Sequence, residues 1–538
     1  MTGRTAAPSI TRSAVANWAA FLFAALVSFF LSPFVVHNLG DTAYGVWVLL
    51  GSLVGYLGLL DLGVRGAVTR YVAHFHATGD HDQSTRIASS GITLFVVSAF
   101  VAVLISLGAA VLVTQLFNVP AELVHEARTV ILLGGLTIAA SLIGGVYGGI
   151  VIGLERFDLD STLEIVLTAF RAVAIVIALR FGFGLVALAV IHLAASAFRA
   201  LAAGMISRHL YPQLRIGFRA QWEHVRMLLS FSIFSSLIQL SGILIYYTDY
   251  VVIGIFLPVE LVTFYAIAAN LTDYARQVVG SLTRIVTPRA STVQASGGDA
   301  AVHDVVLSVA RTATLITLPI ALTFWLRGQS FIALWMGPAY APQSGQVLSL
   351  LAIMVWFGGA RSASAAAILG VNKHRLLALV FIIEAVCNLG LSVVLIKPFG
   401  LMGVALGTVI PNILVSLALP WYLHYALGVP PHAFYRRAWL FPTLACLPFA
   451  VASLAVERTF PAGSLLTFFL QVALLLPLVP ACALVLTTTR TERQRIHAVL
   501  RNAASRLLQR RAPAATRSPT PARSHAPALD RPRRPGTT

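Results

Sequence analysis

Long apolar runs, separated only by short polar breaks, limit what this chain can fold into more than any other feature. Fourteen such runs follow one another between residues 16 and 486. A helix needs about 20 apolar residues to cross the hydrocarbon core of a bilayer. The chain has 538 residues, 58% of them hydrophobic and 11% charged, with a mean hydropathy of +0.83. Because average soluble domains carry about 25% charged residues, the sequence predicts an all-α polytopic membrane protein with about 14 transmembrane helices. It excludes a soluble enzyme.

The basic residues lie mainly at the ends of these runs and in the C-terminal tail. The net charge is +18, and Lys373 and Lys397 are the only lysines among 38 basic residues. If the spans alternate, seventeen basic residues fall in loops on the side of the N-terminus and five, including Arg327, on the other side, before the tail is counted. Cytoplasmic loops are enriched in arginine and lysine. We therefore expect both termini in the cytoplasm and no nucleic-acid partner.

Two pairs of similar segments indicate an internal repeat. The segment that begins at Leu39 is similar to the one at Leu257, and the segment at Phe183 is similar to the one at Phe399. The offsets of 218 and 216 residues agree on a unit of six spans, although chance similarity of apolar segments is the alternative. Two such bundles around a central cavity form a transporter architecture. The predicted parts are an N-terminal lobe (1–208), a cytoplasmic linker (209–226), a C-terminal lobe (227–425), two added spans (426–487) and a basic tail (488–538).

Ionisable side chains within the spans are the candidates for chemistry, because each costs a few kcal/mol in hydrocarbon without a partner or a wet cavity. Guanidinium groups stay charged when desolvated and bind phosphate oxygens in pairs. The arginines within the spans, which predict a cavity for an anionic ligand, are Arg171, Arg199, Arg276 and Arg361. Carboxylates in the same cavity could bind H⁺ or Na⁺ for coupling. The alternatives are structural ion pairs, such as Asp273 with Arg276, and arginines that extend to the membrane surface.

Other patterns predict packing and membrane contact. Gly145, Gly149 and Gly153, spaced by four, predict close packing of one helix face. The tail from Arg490 has apolar residues at helical spacing opposite arginines, which predicts a basic amphipathic helix on anionic membrane lipids. The sequence contains no phosphate-binding loop of the Gly-x-x-x-x-Gly-Lys-[Ser/Thr] type. We expect no metal and no cofactor.

Four motifs resemble those of a known family. They are Asn-Leu-Gly-Asp-Thr-Ala-Tyr-Gly-Val-Trp from Asn38, Leu-Asp-Leu-Gly-Val-Arg from Leu60, Thr-Asp-Tyr-Val-Val-Ile-Gly from Thr248, and Phe-Gly-Leu-Met-Gly-Val-Ala-Leu-Gly from Phe399. Over roughly residues 10–485 the chain resembles the bacterial polysaccharide flippases of the multidrug/oligosaccharidyl-lipid/polysaccharide exporter superfamily.

The resemblance implies two lobes that move a lipid-linked oligosaccharide across the bacterial cytoplasmic membrane by alternating access. The glycan would be destined for O-antigen, capsule or exopolysaccharide, and a polysaccharide polymerase and chain-length machinery would be further partners. With this function, the expected phosphate or sugar contacts are Arg171, Arg276 and Arg361. The carboxylates that would orient them or bind the coupling cation are Asp249, Asp273 and Glu384. Asp61 and Arg65 would form a cytoplasmic gate, or would only cap a helix.

Other functions remain open on the sequence alone. A drug/cation antiporter of the same superfamily would need carboxylates without arginine partners within its spans. A membrane-embedded glycosyltransferase or polysaccharide polymerase would need long, charged outer loops, whereas the predicted outer loops are short. A scaffold that transports nothing would give the charges in the membrane no use.

Overall fold

The computed structural model describes residues 10–218, 220–283, 286–373 and 375–487, and within these residues it consists of helices and short connections without a β-strand. The N-terminal half contains α1 (Ile10–Leu39), α2 (Asp41–Tyr56), α3 (Val64–Thr78), α4 (His81–Leu116), α5 (Val124–Gly153), α6 (Phe157–Arg180) and α7 (Leu185–Leu210). The C-terminal half contains α8 (Trp222–Phe256), α9 (Glu260–Thr283), α10 (Val286–Trp335), α11 (Ala341–Gly370), α12 (Arg375–Phe399) and α13 (Leu401–Leu427). The last helices are α14 (Pro431–Phe434), α15 (Phe441–Thr459), α16 (Leu465–Leu475) and α17 (Leu478–Leu486).

Thirteen of the described helical segments are long and apolar enough to cross a membrane. Helix α9 is not among them, since Asn270, Asp273 and Arg276 make it more polar. At 24 residues it is nevertheless of membrane length, and it packs between α2 and α11. The predicted all-α, multi-pass membrane fold is therefore confirmed, and α9 supplies the fourteenth helix of the sequence-based prediction.

The second span differs from its predicted form. The sequence predicts a span over 44–62 and then a loop up to residue 87. Instead, α2 ends in a 3₁₀ turn over Leu57–Asp61, and the chain continues as α3 to Thr78. Leu62 and Gly63 adopt left-handed conformations, with φ of 48° and 71°, and these interrupt the helix. Because α3 is rich in polar residues, the apolar runs of the sequence do not indicate it.

Glycines with positive φ occur at corresponding places in the two halves, and this supports the parallel repeat. Helix α10 is kinked at Gly298, where φ is 69°, so residues 286–297 follow α9 as α3 follows α2. The turn after α3 lies at Gly79, where φ is 75°. These two glycines are 219 positions apart, close to the offsets found in the sequence. In both halves a glycine with positive φ therefore separates a short helical segment from the long span that follows it.

The predicted position of Arg327 in an outer loop is wrong. Arg327 lies within α10 with 1% of its surface exposed. Its Nε is 2.5 Å from Oε2 of Glu457 in α15, and its Nη2 is 2.5 Å from Oε1 of Gln471 in α16. The guanidinium also lies 4.5 Å from the ring centre of Phe468. This side chain thus fastens the added helices to α10.

The structure describes most of the predicted linker and none of the predicted tail. The linker contains the end of α7, an irregular stretch over 211–218 and 220–221, and the start of α8. The predicted amphipathic helix of the tail, in 488–538, lies outside the described residues.

The two halves contact each other at the end of the bundle where α2 begins, which we call the Asp41 end. Thr263 of α9 donates a hydrogen bond of 2.6 Å to the backbone oxygen of Asp41, and the Tyr340 hydroxyl donates one of 2.6 Å to its carboxylate. Nearby, Trp335 Nε1 donates to the backbone oxygen of Phe29 at 3.0 Å. Helices α1 and α2 are thereby held against α9, α10 and the start of α11.

At the same end, Gly45 of α2 packs closely against the backbone of Val259. We predict that Gly45→Ala destabilises the protein. A Cβ at this position would lie 2.2 Å from the backbone oxygen of Val259. Backbone there would have to move, and overpacking of this kind costs about 1–3 kcal/mol. A lower melting temperature of the purified protein in detergent would show the effect. Gly51→Ala in the same helix is the control, because nothing lies within 4 Å of its added Cβ. Equal melting temperatures for both variants would contradict the packing account.

Candidate functional site

Three cavities with charged and polar side chains in their walls adjoin one another; helices of both halves line two of them, and the third lies within the C-terminal half. Cavity A, of about 290 Å³, is lined by α1, α2, α6, α7 and α9. Cavity B, of about 300 Å³, is lined by α2, α8 and α9. Cavity C, of about 80 Å³, is lined by α8, α9, α11 and α13. Asn270 lines both A and B, while Tyr246 and Arg276 line both B and C. The three cavities are therefore neighbours, in a row that leads from the N-terminal half into the C-terminal half.

Arg171 lines cavity A and belongs to a network of four charged groups. Its Nη2 lies 3.2 Å from Glu164 Oε1 and 3.3 Å from the Thr168 hydroxyl, all on α6. Arg199 of α7 also bonds Glu164, and it bonds Asp160 at 2.8 Å. Arg199 therefore ties α7 to α6. Because Glu164 has two arginine partners, it stays paired if Arg171 turns to a ligand.

Arg276 lines cavities B and C. Its Nη2 lies 2.8 Å from Oδ1 of Asp273, one helical turn earlier in α9. The guanidinium also stacks 3.4 Å from the ring centre of Tyr246 in α8, which is a cation–π contact. A guanidinium has five N–H donors, and a single contact with a carboxylate oxygen leaves donors for a second anion. Arg276 is thus a charged group with donor capacity at the junction of two cavities.

Arg361 lines cavity C, and the carboxylate that pairs with it, Glu384, lies outside the cavity. Its Nη1 and Nη2 lie 2.7 and 2.5 Å from the two carboxylate oxygens of Glu384 in α12. Asn412 of α13 donates a further bond of 3.2 Å to Glu384. Glu384 is 2% exposed and does not line the cavity. The bidentate pair fixes the guanidinium plane and connects three helices of the C-terminal half.

Asp249 lies outside the three cavities in a buried group of neutral hydrogen-bonding side chains. Its Oδ2 accepts a bond of 2.5 Å from the Tyr265 hydroxyl, and the Thr408 hydroxyl lies 2.8 and 2.9 Å from its two oxygens. Asn388 donates to Thr408 at 2.8 Å. The carboxylate is 3% exposed, and none of its described partners is a cation. A buried carboxylate of this kind requires a proton or a bound cation for stability.

Asp61 and Arg65 lie at the break within the second span. Asp61 Oδ1 accepts the backbone N–H of Arg65 at 3.4 Å, and Asp61 Oδ2 lies 3.3 Å from Arg65 Nε. These are contacts of a helix cap. The Arg65 guanidinium lies over Gly145 of α5, and Gly149 and Gly153 continue this close contact with α3. The glycine stripe therefore serves packing, as predicted. Neither Asp61 nor Arg65 lines the three cavities, and the gate stays a prediction.

Two carboxylates that complete the site were not among the predicted residues. Asp160 and Glu164 read as ordinary acidic residues at the start of α6. Their spacing from Arg171, at eleven and seven residues, places all three on one helical face, and that signal could have found them. Tyr246 gives no such signal, because its role comes only from packing of α8 on α9. Among the described residues, no group of three or more His, Cys, Asp or Glu side chains is placed to hold a metal ion.

Two six-span halves with cavities at their junction form an architecture that is typical of membrane transporters. The chain belongs to the family described as "Polysaccharide biosynthesis protein", which matches residues 10–294. This family, and the fold that the chain shares with solved transporters, agree with the prediction of a membrane transporter that is not an enzyme.

Two curated relatives align with most of the chain. It is 23% identical over 441 residues to "Uncharacterized membrane protein EpsK" of Bacillus subtilis (strain 168), covering 78% of this chain and 84% of the relative. It is 22% identical over 427 residues to "Putative O-antigen transporter" of Shigella flexneri, covering 77% and 97%.

Solved structures share the fold. The lipid II flippase MurJ in an inward closed conformation aligns with a TM-score of 0.70 and 14% identity, over 88% of this chain and 98% of that one. An inward-facing multidrug resistance MATE family transporter of the MOP superfamily aligns with a TM-score of 0.64 and 14% identity, over 77% and 98%.

The charge network on α6 and α7 predicts unequal effects for its two arginines. Arg199→Gln leaves Asp160 without its described arginine partner and Glu164 with one, so we expect a loss of about 1–3 kcal/mol in the free energy of unfolding. Arg171→Gln leaves Glu164 on Arg199, so its loss should be under about 1 kcal/mol. Chemical denaturation of the purified variants in detergent measures both values. Equal losses would show that Glu164 does not depend on Arg199.

Proposed function

We propose that this protein moves a lipid-linked oligosaccharide across the membrane by alternating access. The observation that carries the proposal is that arginines of both halves, Arg171, Arg276 and Arg361, line three neighbouring cavities, two of which lie between the halves. The family, the relative named as a putative O-antigen transporter and the fold shared with a lipid II flippase support it. The glycan would be one that is built for O-antigen, capsule or exopolysaccharide.

The chemistry of the cavities suits a pyrophosphate-linked head group. A pyrophosphate presents several charged oxygens, which guanidinium groups bind through charge-assisted hydrogen bonds. Arg276 has donors to spare, and Arg171 can leave Glu164 while that carboxylate keeps Arg199. The prenyl chain is apolar and needs no protein path, because it can stay in the bilayer. The protein therefore has to lower the barrier only for the hydrophilic head group.

Orientation follows from the arginine distribution. We infer that the Asp41 end faces away from the cytoplasm of a bacterium, with both termini inside and the protein in the cytoplasmic membrane. The contacts of Asp41 with Thr263 and Tyr340 then close the outer end. In this state the cavities would receive a head group from the inner leaflet. Opening of these contacts would release it outside.

A cation-coupled drug or toxin antiporter is the alternative, and the charge pairing argues against it. Asp273 lines cavity B but is paired with Arg276, and Glu384 is held by Arg361. In the part of the chain that the structure describes, no carboxylate without an arginine partner lines the three cavities. A cationic substrate would meet arginine first.

The coupling cation and the further partners are separate proposals. Asp249, held by two hydroxyl groups, is the group we propose to bind H⁺ or Na⁺ during transport. Asp273 and Glu384 instead orient arginines. Binding of the tail to anionic lipids, and contact with a polysaccharide polymerase and chain-length machinery, remain predictions from the sequence.

Reconstituted protein tests the proposed function. Proteoliposomes would carry a fluorescent prenyl-pyrophosphate oligosaccharide, and a membrane-impermeant quencher would report its exchange between leaflets. We expect wild-type protein to accelerate this exchange. The triple variant Arg171→Gln, Arg276→Gln, Arg361→Gln should lose about tenfold or more in rate, since each charged hydrogen bond is worth about 1.5–3 kcal/mol.

Arg180→Gln is the matched control for that experiment. Arg180 ends α6, contacts the Phe34 ring and lies outside the three cavities. Its rate should match that of wild type. An undiminished rate in the triple variant would remove the arginines from the site. Transport of cationic dyes without exchange of the glycan lipid would replace the flippase with the antiporter.

Ion gradients across the same vesicles test the coupling proposal. We expect Asp249→Asn, which keeps the shape of the side chain but removes its charge, to abolish the effect of a Na⁺ or pH gradient on transport. Exchange without a gradient should remain within about threefold of wild type, a change of less than 1 kcal/mol. Glu260→Gln, an exposed carboxylate at the start of α9 that lines none of the three cavities, is a control that should keep the gradient effect. A gradient effect that survives in Asp249→Asn would move the coupling site elsewhere.

A further inference from the structure

Cavity A differs chemically from cavities B and C. Besides Arg171, it is lined by the aromatic rings of Tyr44, Trp47 and Tyr274 and by the imidazole of His192. Trp47 and His192 lie beside each other, with ring centres 5.5 Å apart. Its one guanidinium is engaged by Glu164 and Thr168. The cavity thus combines aromatic rings and aliphatic side chains with neutral polar groups.

The neutral polar groups come from several helices. The Ser32 hydroxyl of α1 is buried and has no hydrogen-bond partner, although it lines the cavity. Asn270 of α9 donates only a long bond of 3.5 Å to the Tyr44 hydroxyl. Polar groups that face a cavity with weak partners or none are available to a ligand with hydroxyl groups. Aromatic rings complement the other feature of a sugar, the apolar C–H face of its ring.

Position along the bundle separates cavity A from the arginine that lines cavity C. The bond between Tyr340 and Asp41 places the first turns of α2 and α11 at one level. Trp47 is six residues into α2, roughly 9 Å from that level at 1.5 Å per residue. Arg361 is 20 residues into α11, roughly 30 Å from it. The aromatic cavity therefore lies nearer the Asp41 end.

This order matches the order of groups in the proposed substrate. In a lipid-linked oligosaccharide the pyrophosphate joins the prenyl chain, and the sugars extend beyond it. Arg276 and Arg361 border cavities B and C, and Asn270 borders both B and A. A head group with its pyrophosphate at these arginines would extend its sugars past Asn270 towards Trp47.

We propose that cavity A is a sugar-binding subsite, with Trp47 as its aromatic surface and Ser32, Asn270 and His192 as its hydrogen-bonding groups. The proposal rests on the proposed function and adds to it a division of the site. Its volume of about 290 Å³ is at the lower limit of small-molecule pockets, about 300–1,000 Å³. The subsite therefore takes one or two sugar units, and longer glycans extend past it.

Two probes that differ only by a sugar test the subsite. They are farnesyl pyrophosphate and the same molecule with glucose on its terminal phosphate, and their dissociation constants would be measured on the full chain in nanodiscs. Wild type should bind the glucosylated probe about tenfold more tightly, a gain of about 1.4 kcal/mol. Trp47→Leu should lose that gain and bind the sugar-free probe as wild type does. Trp47→Phe, which keeps an aromatic ring, should retain most of it.

Further variants separate binding from stability. Trp421→Leu is the matched control, because Trp421 is 64% exposed on α13 and lines none of the three cavities. It should change neither constant. His192→Ala removes a second group of cavity A and should weaken only the glucosylated probe, which keeps the test open if Trp47→Leu unfolds.

The outcomes distinguish the subsite from the transport function. If wild type binds both probes equally, or if Trp47→Leu weakens both alike, the sugar subsite is overturned while the function stands. If wild type binds neither probe, the proposed function fails, and the subsite fails with it. Weaker binding of both probes in Arg276→Gln, with the sugar preference intact, would support both.

Discussion

Each arginine in a low-dielectric interior needs a counter-charge, and this requirement organises the fold. Arg199 joins α7 to α6 through Asp160, Arg361 joins α11 to α12 through Glu384, and Arg327 joins α10 to α15 through Glu457. Among the described residues, no ion pair links the N-terminal half to the C-terminal half. The halves instead meet through bonds such as Trp335 to Phe29. Breaking an ion pair in the interior costs several kcal/mol, whereas a neutral hydrogen bond is worth about 1 kcal/mol. The hydrogen bonds between the halves are therefore individually weaker than the buried ion pairs within each half.

In the cavities, guanidinium groups can bind a ligand while the neighbouring carboxylates keep a partner. Glu164 shares two arginines, and Arg276 uses one contact with Asp273 while Tyr246 supports its plane. An anion that enters can therefore take guanidinium donors without leaving a carboxylate alone. Paired arginines also keep an empty cavity from carrying a large uncompensated charge within the bilayer.

Periodicity and charge in the sequence were enough to predict the helical membrane class, the six-span repeat and the three arginines that line the cavities. They were not enough for α3, because its arginines and histidines hide a helix that packs on the glycine face of α5 rather than on lipid. Arg327 was misplaced for a related reason. An arginine near the end of an apolar run reads as a loop residue unless its partner is known, and Glu457 lies 130 positions away. Long-range pairing and the aromatic contacts of Trp47 and Tyr246 arise only from the packed structure.

The attachment of the last helices through Arg327 breaks the symmetry that the repeat creates. Its guanidinium side chain has no exposed surface and is held by α15 and α16 together. The C-terminal half therefore carries these helices as one heavier body, and the N-terminal half has no equivalent load. If the halves rock as proposed, the two bodies displace unequal amounts of lipid on their two flanks. Membrane thickness and stiffness would then act unequally on the two bodies.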